Sequence, residues 1–230
     1  MLAPAPSATI GVAAMDETDP PPESCAQGCS PGTDEPGRDA EGGLPSAQAL
    51  TALTQALNRP IVLVGLMGVG KSTVGRRLAN CLGTPFIDAD DAVAEAANMS
   101  IPEIFDQFGE AYFRDGERRV IARLIEESAE KPTVIATGGG AFVDDETRAL
   151  ILDRAIAIWL DADLDTLVER VSRKNTRPLL IGKDPRKVLS ELIAKRSPAY
   201  AQAPIRVPSM PGPHINSVAR ILAALEEHVA

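Results

Sequence analysis

Short apolar runs alternate with longer amphipathic stretches from Arg59 onward. Five of these runs are rich in β-branched residues and predict strands, and their segments read PIVLVG, PFIDAD, TVIATGGG, AIAIWLDA and PIRV. Apolar residues at helical spacing predict helices that begin near Lys71, Ala92, Glu117, Thr147, Leu164 and Arg186. This alternation predicts an α/β fold with a five-stranded parallel sheet flanked by helices.

The first 45 residues show neither the apolar runs of strands nor the apolar spacing of helices. They contain eight prolines, six glycines and no aromatic residue, so they bury too little apolar surface to offset the entropy lost on ordering. We therefore expect residues 1–45 to be a disordered acidic tail. Residues 46–58 have a serine at the start and apolar residues at helical spacing, which fits a short helix or a mobile segment. Residues 59–230 are expected to form one domain.

Composition narrows the class of protein. No apolar run approaches the roughly 20 residues that a membrane-spanning helix needs, and the first residues lack the basic start and apolar stretch of a secretion signal. Three cysteines are too few for a disulfide framework and suit a reducing compartment. A cytoplasmic protein without a membrane partner is expected.

Charge argues against a nucleic-acid partner. The net charge is -9, but residues 1–58 hold eight acids and one base, which leaves 24 acids against 22 bases in the remainder. The predicted domain is therefore nearly neutral and lacks the basic excess of a nucleic-acid binder. We expect a monomer that acts on a small molecule.

A phosphate-binding loop follows the first predicted strand. The segment GLMGVGKS, residues 65–72, fits G-x-x-x-x-G-K-[ST] and lies between a strand and a helix, as this motif requires. Its amides can surround phosphate oxygens, while Lys71 can reach the β and γ oxygens and Ser72 can bind Mg²⁺. The residues expected to hold the nucleotide phosphates are Gly68, Val69, Gly70, Lys71, Ser72 and Thr73. The N-K-x-D segment of switch GTPases is missing, which leaves a small ATP-using kinase or an ATP-driven binding module.

Two acidic residues lie at the end of the second predicted strand. If the chain is extended there, Asp88 and Asp90 point to the same side, about 6 to 7 Å apart. One carboxylate could then serve a metal ion and the other an acceptor hydroxyl, as in phosphoryl transfer. An acidic turn that caps the next helix is the alternative.

Two further segments fit an ATP site. In TGGG, the glycines Gly138, Gly139 and Gly140 would let the backbone approach the substrate and the γ-phosphate closely. The alternative is that they form a β-bulge or a tight turn without a ligand. The polar, basic stretch Arg170–Arg186 predicts a mobile loop. Beside an ATP site we interpret this loop as a lid. The alternative is a solvated basic loop.

Six segments in this order resemble shikimate kinase, namely GLMGVGKSTVGRRLA, FIDADD, FRDGE, TGGGA, NTRPLL and KRSPAY. The resemblance covers Arg59 to the C-terminus. It implies a P-loop kinase fold with a mobile lid, and an enzyme of aromatic amino-acid biosynthesis that uses ATP and Mg²⁺ to convert shikimate into shikimate 3-phosphate.

The resemblance also implies roles for individual residues. Asp88 matches the aspartate linked to Mg²⁺ through water, and Asp90 matches the one that contacts the shikimate hydroxyls. Arg114 and Arg196 match the arginines that bind the carboxylate, which suits the bidentate bonds a guanidinium makes. Glu117 is placed to orient Arg114.

On the nucleotide side, Arg170 matches the arginine that stacks on adenine, and Arg177 matches the lid arginine that closes on the phosphates. Gly139 matches the glycine that contacts the substrates. The catalytic residues are therefore expected to be Lys71, Asp90 and Arg177.

The sequence departs from the family in its long tail and in the segment PSMPGPHINS, where no adenine contact is predicted. The alternatives are a gluconate-type kinase, whose acceptor is also a hydroxy acid, and a non-catalytic ATP-binding protein. The latter has no need for Asp90, Arg114 and Arg196 together.

Overall fold

A computed structural model describes residues 43–129, 132–172, 184–210 and 212–229. Within these ranges the sheet has five strands, all parallel. They are β1 Ile61–Val64, β2 Phe86–Asp88, β3 Val134–Ala136, β4 Ile156–Asp161 and β5 Ile205–Pro208. Their order across the sheet is β2-β3-β1-β4-β5. The predicted α/β fold with a five-stranded parallel sheet is confirmed.

Helices flank this sheet. They are α1 Ala47–Ala56, α2 Lys71–Leu82, α3 Ala89–Ala97, α4 Ile101–Glu127, α5 Asp145–Arg154, α6 Leu164–Ser172, α7 Pro185–Tyr200 and α8 His214–Val229, with a short 3-10 helix at Ala141–Val143. None of the helices in the described ranges combines the length and apolar character that crossing a bilayer requires.

The helix predicted to begin near Glu117 begins much earlier. Ser100 and Glu103 form a capping box at the start of α4, and the helix bends at Gly109, which has φ 79°. The prediction was wrong because the first turns of α4 carry exposed aromatic side chains, among them Phe105 and Phe108, and so show no clear apolar stripe. Glu117 instead lies in the middle of a long helix, where it can point inward.

Helix α1 packs on the domain. Ser46 caps it, and it contacts α2 and α8. Leu53 and Leu57 are buried, and the Thr54 hydroxyl donates to the Leu82 carbonyl at the end of α2. The segment for which the sequence left helix and mobility open is therefore helical and contributes to the core.

The order of the strands positions the ligand site. Strand β1 is fully buried and lies between β3 and β4. The Thr137 hydroxyl donates to the Leu63 carbonyl at 3.0 Å, which ties the segment after β3 to the end of β1. Ligands of such sheets bind beyond the carboxyl ends of the strands, where the chain crosses from one side of the sheet to the other. The GLMGVGKS and TGGG segments meet at that place.

Candidate active site

The phosphate loop connects β1 to α2. Gly68 and Gly70 have φ 86° and 99°, a conformation that glycine adopts without strain. Gly70 is the N-cap of α2, and among the described residues no side chain caps this helix. The amides of its first turn, from Lys71 to Thr73, therefore face the position where an anion binds at a helix N-terminus.

Lys71 bends back over this loop. Its Nζ donates to the carbonyl oxygens of Gly65 at 2.8 Å and Leu66 at 3.0 Å. These two contacts hold the ammonium group beside the loop backbone. Val69 is buried and anchors the loop on the domain.

Ser72 and Asp88 are in direct contact. The Ser72 hydroxyl donates to Asp88 Oδ2 at 2.6 Å. Asp88 is the N-cap of α3, and its Oδ1 accepts from the amide of Asp90 at 3.1 Å. The extended geometry assumed for the two aspartates was wrong, because the helix begins at Ala89 and Asp90 already lies in its first turn. The carboxylate of Asp88 is therefore both a helix cap and a neighbour of the phosphate loop.

Asp90 lies among charged groups of both signs. Burial raises the pKa of its carboxyl, as do the negative charges of Asp88 and Asp91, while Lys71 and Arg114 oppose this rise. A carboxylate whose pKa lies above its ordinary value binds a proton more readily and is suited to accept one during a reaction.

Arg114 and Glu117 form an ion pair on α4. Arg114 Nη1 donates to Glu117 Oε2 at 2.6 Å, and its Nη2 contacts Glu110 at 3.2 Å. Glu117 is 2% exposed, and its second oxygen has no hydrogen-bond partner among the described residues. Burial raises the pKa of Glu117, Arg114 lowers it, and Asp90 raises it further. The buried carboxylate holds the guanidinium toward the space beside Asp90.

The glycines after β3 leave room for these side chains. A Cβ on Gly138 would lie 2.6 Å from Glu117 Oε1 and 2.7 Å from Asp90 Oδ1. A Cβ on Gly140 would lie 2.5 Å from Arg114 Nη1. Any side chain at either position would displace the carboxylates or the guanidinium. The three glycines therefore form one wall of a cluster that contains both aspartate and arginine.

Arg196 and Tyr200 reach the same wall from α7. Arg196 Nη1 donates to the Gly139 carbonyl at 2.7 Å, and the Tyr200 hydroxyl donates to that same oxygen. A Cβ on Gly139 would lie 3.3 Å from the amide nitrogen of Met67 in the phosphate loop. Gly139 thus connects the phosphate loop with the arginine. The Arg114 side chain reaches the cluster from α4, and the Arg196 side chain reaches it from α7.

Arg170 lies at the other end of the phosphate loop. Its guanidinium donates to the Val69 carbonyl at 3.0 Å, the Ser209 hydroxyl at 2.9 Å and the Met210 carbonyl at 2.9 Å. The described ends of the predicted lid are helical, since Arg170 belongs to α6 and Arg186 to α7. Arg177 lies outside the described residues.

Sequence reasoning missed residues that only the fold brings to this site. Tyr200 is separated from Gly139 by 61 positions, and Ser209 is 140 positions from Val69. His214, the first residue of α8, lies against the phosphate loop, 3.4 Å from a Cβ placed on Gly70. The spacing of four between Arg196 and Tyr200 was the one available signal, because it puts both side chains on one helix face.

Comparison with known proteins identifies the family. The model of the shikimate kinase family matches residues 67–226. The chain belongs to the shikimate kinase family. Family members use ATP as co-substrate, and the match includes most of the phosphate loop together with Asp90, Arg114 and Arg196.

Curated shikimate kinases match most of the chain. The shikimate kinase of Novosphingobium aromaticivorans is 54% identical over 79% of this chain and 95% of its own length. That of Caulobacter vibrioides is 60% identical over 74% of this chain and 83% of its own.

Solved shikimate kinases share the fold. The enzyme from Acinetobacter baumannii in complex with shikimate has a TM-score of 0.70 at 33% identity, and covers 80% of this chain and 98% of its own. A gluconokinase from Sinorhizobium meliloti has a TM-score of 0.53 at 18% identity over 75% of this chain and 94% of its own. This second likeness shows the P-loop kinase fold alone.

Proposed function

We propose that this chain transfers the γ-phosphoryl group of ATP to a hydroxyl of shikimate and releases ADP and shikimate 3-phosphate, a step of aromatic amino-acid biosynthesis. The observation that carries the proposal is the meeting of the phosphate loop with the acceptor-side cluster of Asp90, Arg114 and Arg196 at one edge of the sheet. Membership of the shikimate kinase family supports the same reaction.

The nucleotide lies along the phosphate loop. The amides of Gly68, Val69, Gly70, Lys71, Ser72 and Thr73 surround the phosphates. Lys71 moves from the loop carbonyls to the β and γ oxygens, where its charge is balanced by phosphate. Arg170 lies beside the nucleoside, and Arg177 closes on the phosphates from the lid.

Mg²⁺ fits the residues present. This ion prefers oxygen ligands, keeps several waters and takes only one or two protein carboxylates together with substrate phosphates. The hydroxyl of Ser72 and the carboxylate of Asp88, in contact at 2.6 Å, are such a set. Ser72 would hold the ion directly and Asp88 through water. When bound, Mg²⁺ neutralises charge on the phosphate oxygens.

The acceptor is anchored by its carboxylate. Arg114 and Arg196 each offer a guanidinium fork, whose charge-assisted bonds are the strongest available to a small polyol acid. The Gly138–Gly140 backbone forms the wall behind the acceptor. Shikimate held in this way presents a hydroxyl to Asp90.

The chemistry then rests on positioning and charge. Asp90 accepts a hydrogen bond from the attacking hydroxyl and takes its proton as the new O–P bond forms and the bond to the ADP oxygen breaks. Lys71 and Arg177 stabilise the charge that develops on the transferred group. Closure of the lid excludes water, which would otherwise compete with the hydroxyl.

Three further features belong to this proposal. The chain acts as a monomer in the cytoplasm, without a nucleic-acid or membrane partner. The kinase domain comprises residues 59–230. Most of the segment 1–45, for which the sequence predicts a disordered tail, lies outside the described residues. The lid predicted for residues 170–186 is part of this proposal, and residues 173–183 within it lie outside the described residues.

A coupled ADP-release assay tests the function. We expect ADP release with shikimate, and none above background with gluconate or without an acceptor, with the product identified by mass spectrometry. Lys71→Met should abolish release, whereas Lys187→Met, an exposed lysine on α7, should not. Equal release with gluconate would indicate a gluconate-type kinase, and binding of ATP without release would indicate a non-catalytic module.

A further inference from the structure

His214 lies at the end of the phosphate loop that faces away from the acceptor cluster. Its imidazole Cε1 is 3.4 Å and its Nδ1 3.7 Å from the position of a Cβ on Gly70. The ring is half-buried at the first residue of α8. The mechanism above gives it no role, and the sequence assigned no nucleotide contact to this segment.

The direction of the phosphate loop shows which part of a nucleotide comes near His214. The Met67 amide nitrogen and the Gly65 carbonyl oxygen lie 3.3 Å and 3.6 Å from a Cβ placed on Gly139, whose carbonyl accepts from Arg196. We infer that the γ-phosphate lies at that end. Val69 accepts hydrogen bonds from Arg170 and Ser209 at the other end, next to the contact between Gly70 and His214. The α-phosphate and the nucleoside therefore lie on the His214 side.

The surroundings of His214 are cationic. Burial lowers the pKa of its imidazole, and the positive charges of Arg170 from α6 and Arg77 from α2 lower it further. The N-terminal end of α8 acts in the same direction, because the helix dipole disfavours a cation there. Without a nucleotide, these surroundings disfavour the imidazolium form of His214.

We propose that the imidazole of His214 takes up a proton when ADP or ATP binds in the phosphate loop. This inference rests on the proposed function, because it requires a nucleotide in the phosphate loop. The phosphate charges offset the repulsion from Arg170 and Arg77 and favour the imidazolium. Loss of water around the ring opposes this, but the ring is already half-buried, so less hydration remains to be lost when the nucleotide binds.

The chain contains two histidines, which makes the experiment direct. The second, His228, is exposed in the last turn of α8 and is an internal reference. Proton NMR of the full chain follows the two imidazole Cε1–H signals against pH, with and without ADP and Mg²⁺. His214→Gln and His228→Gln assign the signals. The His214 titration should move to higher pH with ADP, and the His228 signal should not respond.

Calorimetry provides the second readout. ADP binding measured in buffers of different ionisation enthalpy should show proton uptake by wild type and His228→Gln that is absent from His214→Gln. Relative to His214→Gln, the affinity of wild type for ADP should fall on the order of tenfold between about pH 5.5 and about pH 8.5.

Saturable ADP binding with an unmoved His214 titration, or proton uptake that persists in His214→Gln, would overturn this inference and leave the proposed function intact. Absence of any ADP binding would overturn both.

Discussion

Arg114 donates to Glu117 at 2.6 Å, while the other oxygen of that same carboxylate is buried and has no hydrogen-bond partner among the described residues. The pair is therefore asymmetric. Arg114 is partly exposed toward the acceptor cluster, whereas Glu117 is 2% exposed and depends on Arg114 to offset its charge. Removing either partner has a different consequence.

Arg114→Ala should weaken shikimate binding roughly 10- to 150-fold, which corresponds to the 1.5–3 kcal/mol typical of hydrogen bonds to charged groups. It should also lower the free energy of unfolding, because Glu117 is left buried without its cation. The double variant Arg114→Met, Glu117→Gln should recover stability but not binding. Titration calorimetry with shikimate and thermal unfolding measure both quantities.

Arg118→Ala is the matched control for this prediction. Arg118 lies on the same helix but pairs with Asp115 and Glu146 on the surface. Surface ion pairs contribute little, so shikimate affinity should be unchanged. Wild-type affinity in Arg114→Ala would show that the acceptor carboxylate is held elsewhere.

Arg196 and Tyr200 both donate to the Gly139 carbonyl, but we expect Arg196 to bind shikimate and Tyr200 to position the backbone of Gly139. Arg196→Ala should weaken shikimate binding by a factor similar to Arg114→Ala, since both forks serve one carboxylate. Tyr200→Phe loses one hydrogen bond and should cost about 1 kcal/mol of stability. It should raise the KM for shikimate while the KM for ATP stays unchanged. An equal rise in both KM values would refute a local role for Tyr200, and Lys195→Ala, an exposed neighbour on α7, is the control.

The parts of this site that could be predicted from sequence are those held by local backbone rules. The phosphate loop is set by glycines between a strand and a helix. Asp88 ends one apolar strand, and Gly138 closely follows another. Contacts made across the fold carry no such signal. The pairing of Tyr200 with Gly139 and the contact of His214 with Gly70 depend on how α7 and α8 return to the sheet.

Helix boundaries failed for a related reason. Local capping by Ser100 and Glu103 starts α4, but the exposed Phe105, Phe108 and Tyr112 obscure the apolar stripe that a sequence pattern requires. The predicted position of Asp90 was wrong because α3 begins at Ala89, directly after Asp88. The alternation of side chains along a strand therefore does not extend to Asp90.

Two truncations distinguish the predicted tail from α1. Deleting residues 1–45 leaves Ser46, the cap of α1, and should leave activity unchanged and the melting temperature within a few degrees of wild type. Deleting residues 1–58 also removes Leu53 and Leu57, which are buried, and should destabilise the domain by several kcal/mol at about 1.5–3 kcal/mol for each buried side chain. A large loss of stability in the shorter deletion would show that the tail packs on the domain.

The two aspartates should respond differently to substitution. Asp88→Asn keeps an N-cap and a side-chain acceptor for Ser72, so folding should be preserved while the Mg²⁺ requirement of the reaction rises. Asp90→Asn should lower turnover toward the lower end of the roughly 10²- to 10⁴-fold range for a general base, because a loose transition state needs the base less than positioning. It should also weaken shikimate binding without altering the Mg²⁺ dependence. Separate Mg²⁺ and shikimate titrations of each variant decide this, and identical responses would contradict the division of roles.

The ionised carboxylate of Asp90 should also lower the free energy of unfolding at neutral pH. Burial and the neighbouring Asp88 raise its pKa in the folded chain above the ordinary value of 3.8. Between the unfolded and the folded pKa the folded state binds more protons than the unfolded state, so stability falls as the pH rises through this window. Above this pH window the loss in the free energy of unfolding stays at its full size, and below pH 3.8 it disappears. Asp90→Asn removes the ionisable group and should therefore melt at a higher temperature than wild type at pH 7 to 8, with a difference that shrinks toward acid pH. Thermal unfolding at several pH values measures this, and a variant that is less stable than wild type at pH 8 would show that the Asp90 carboxylate stabilises the fold instead.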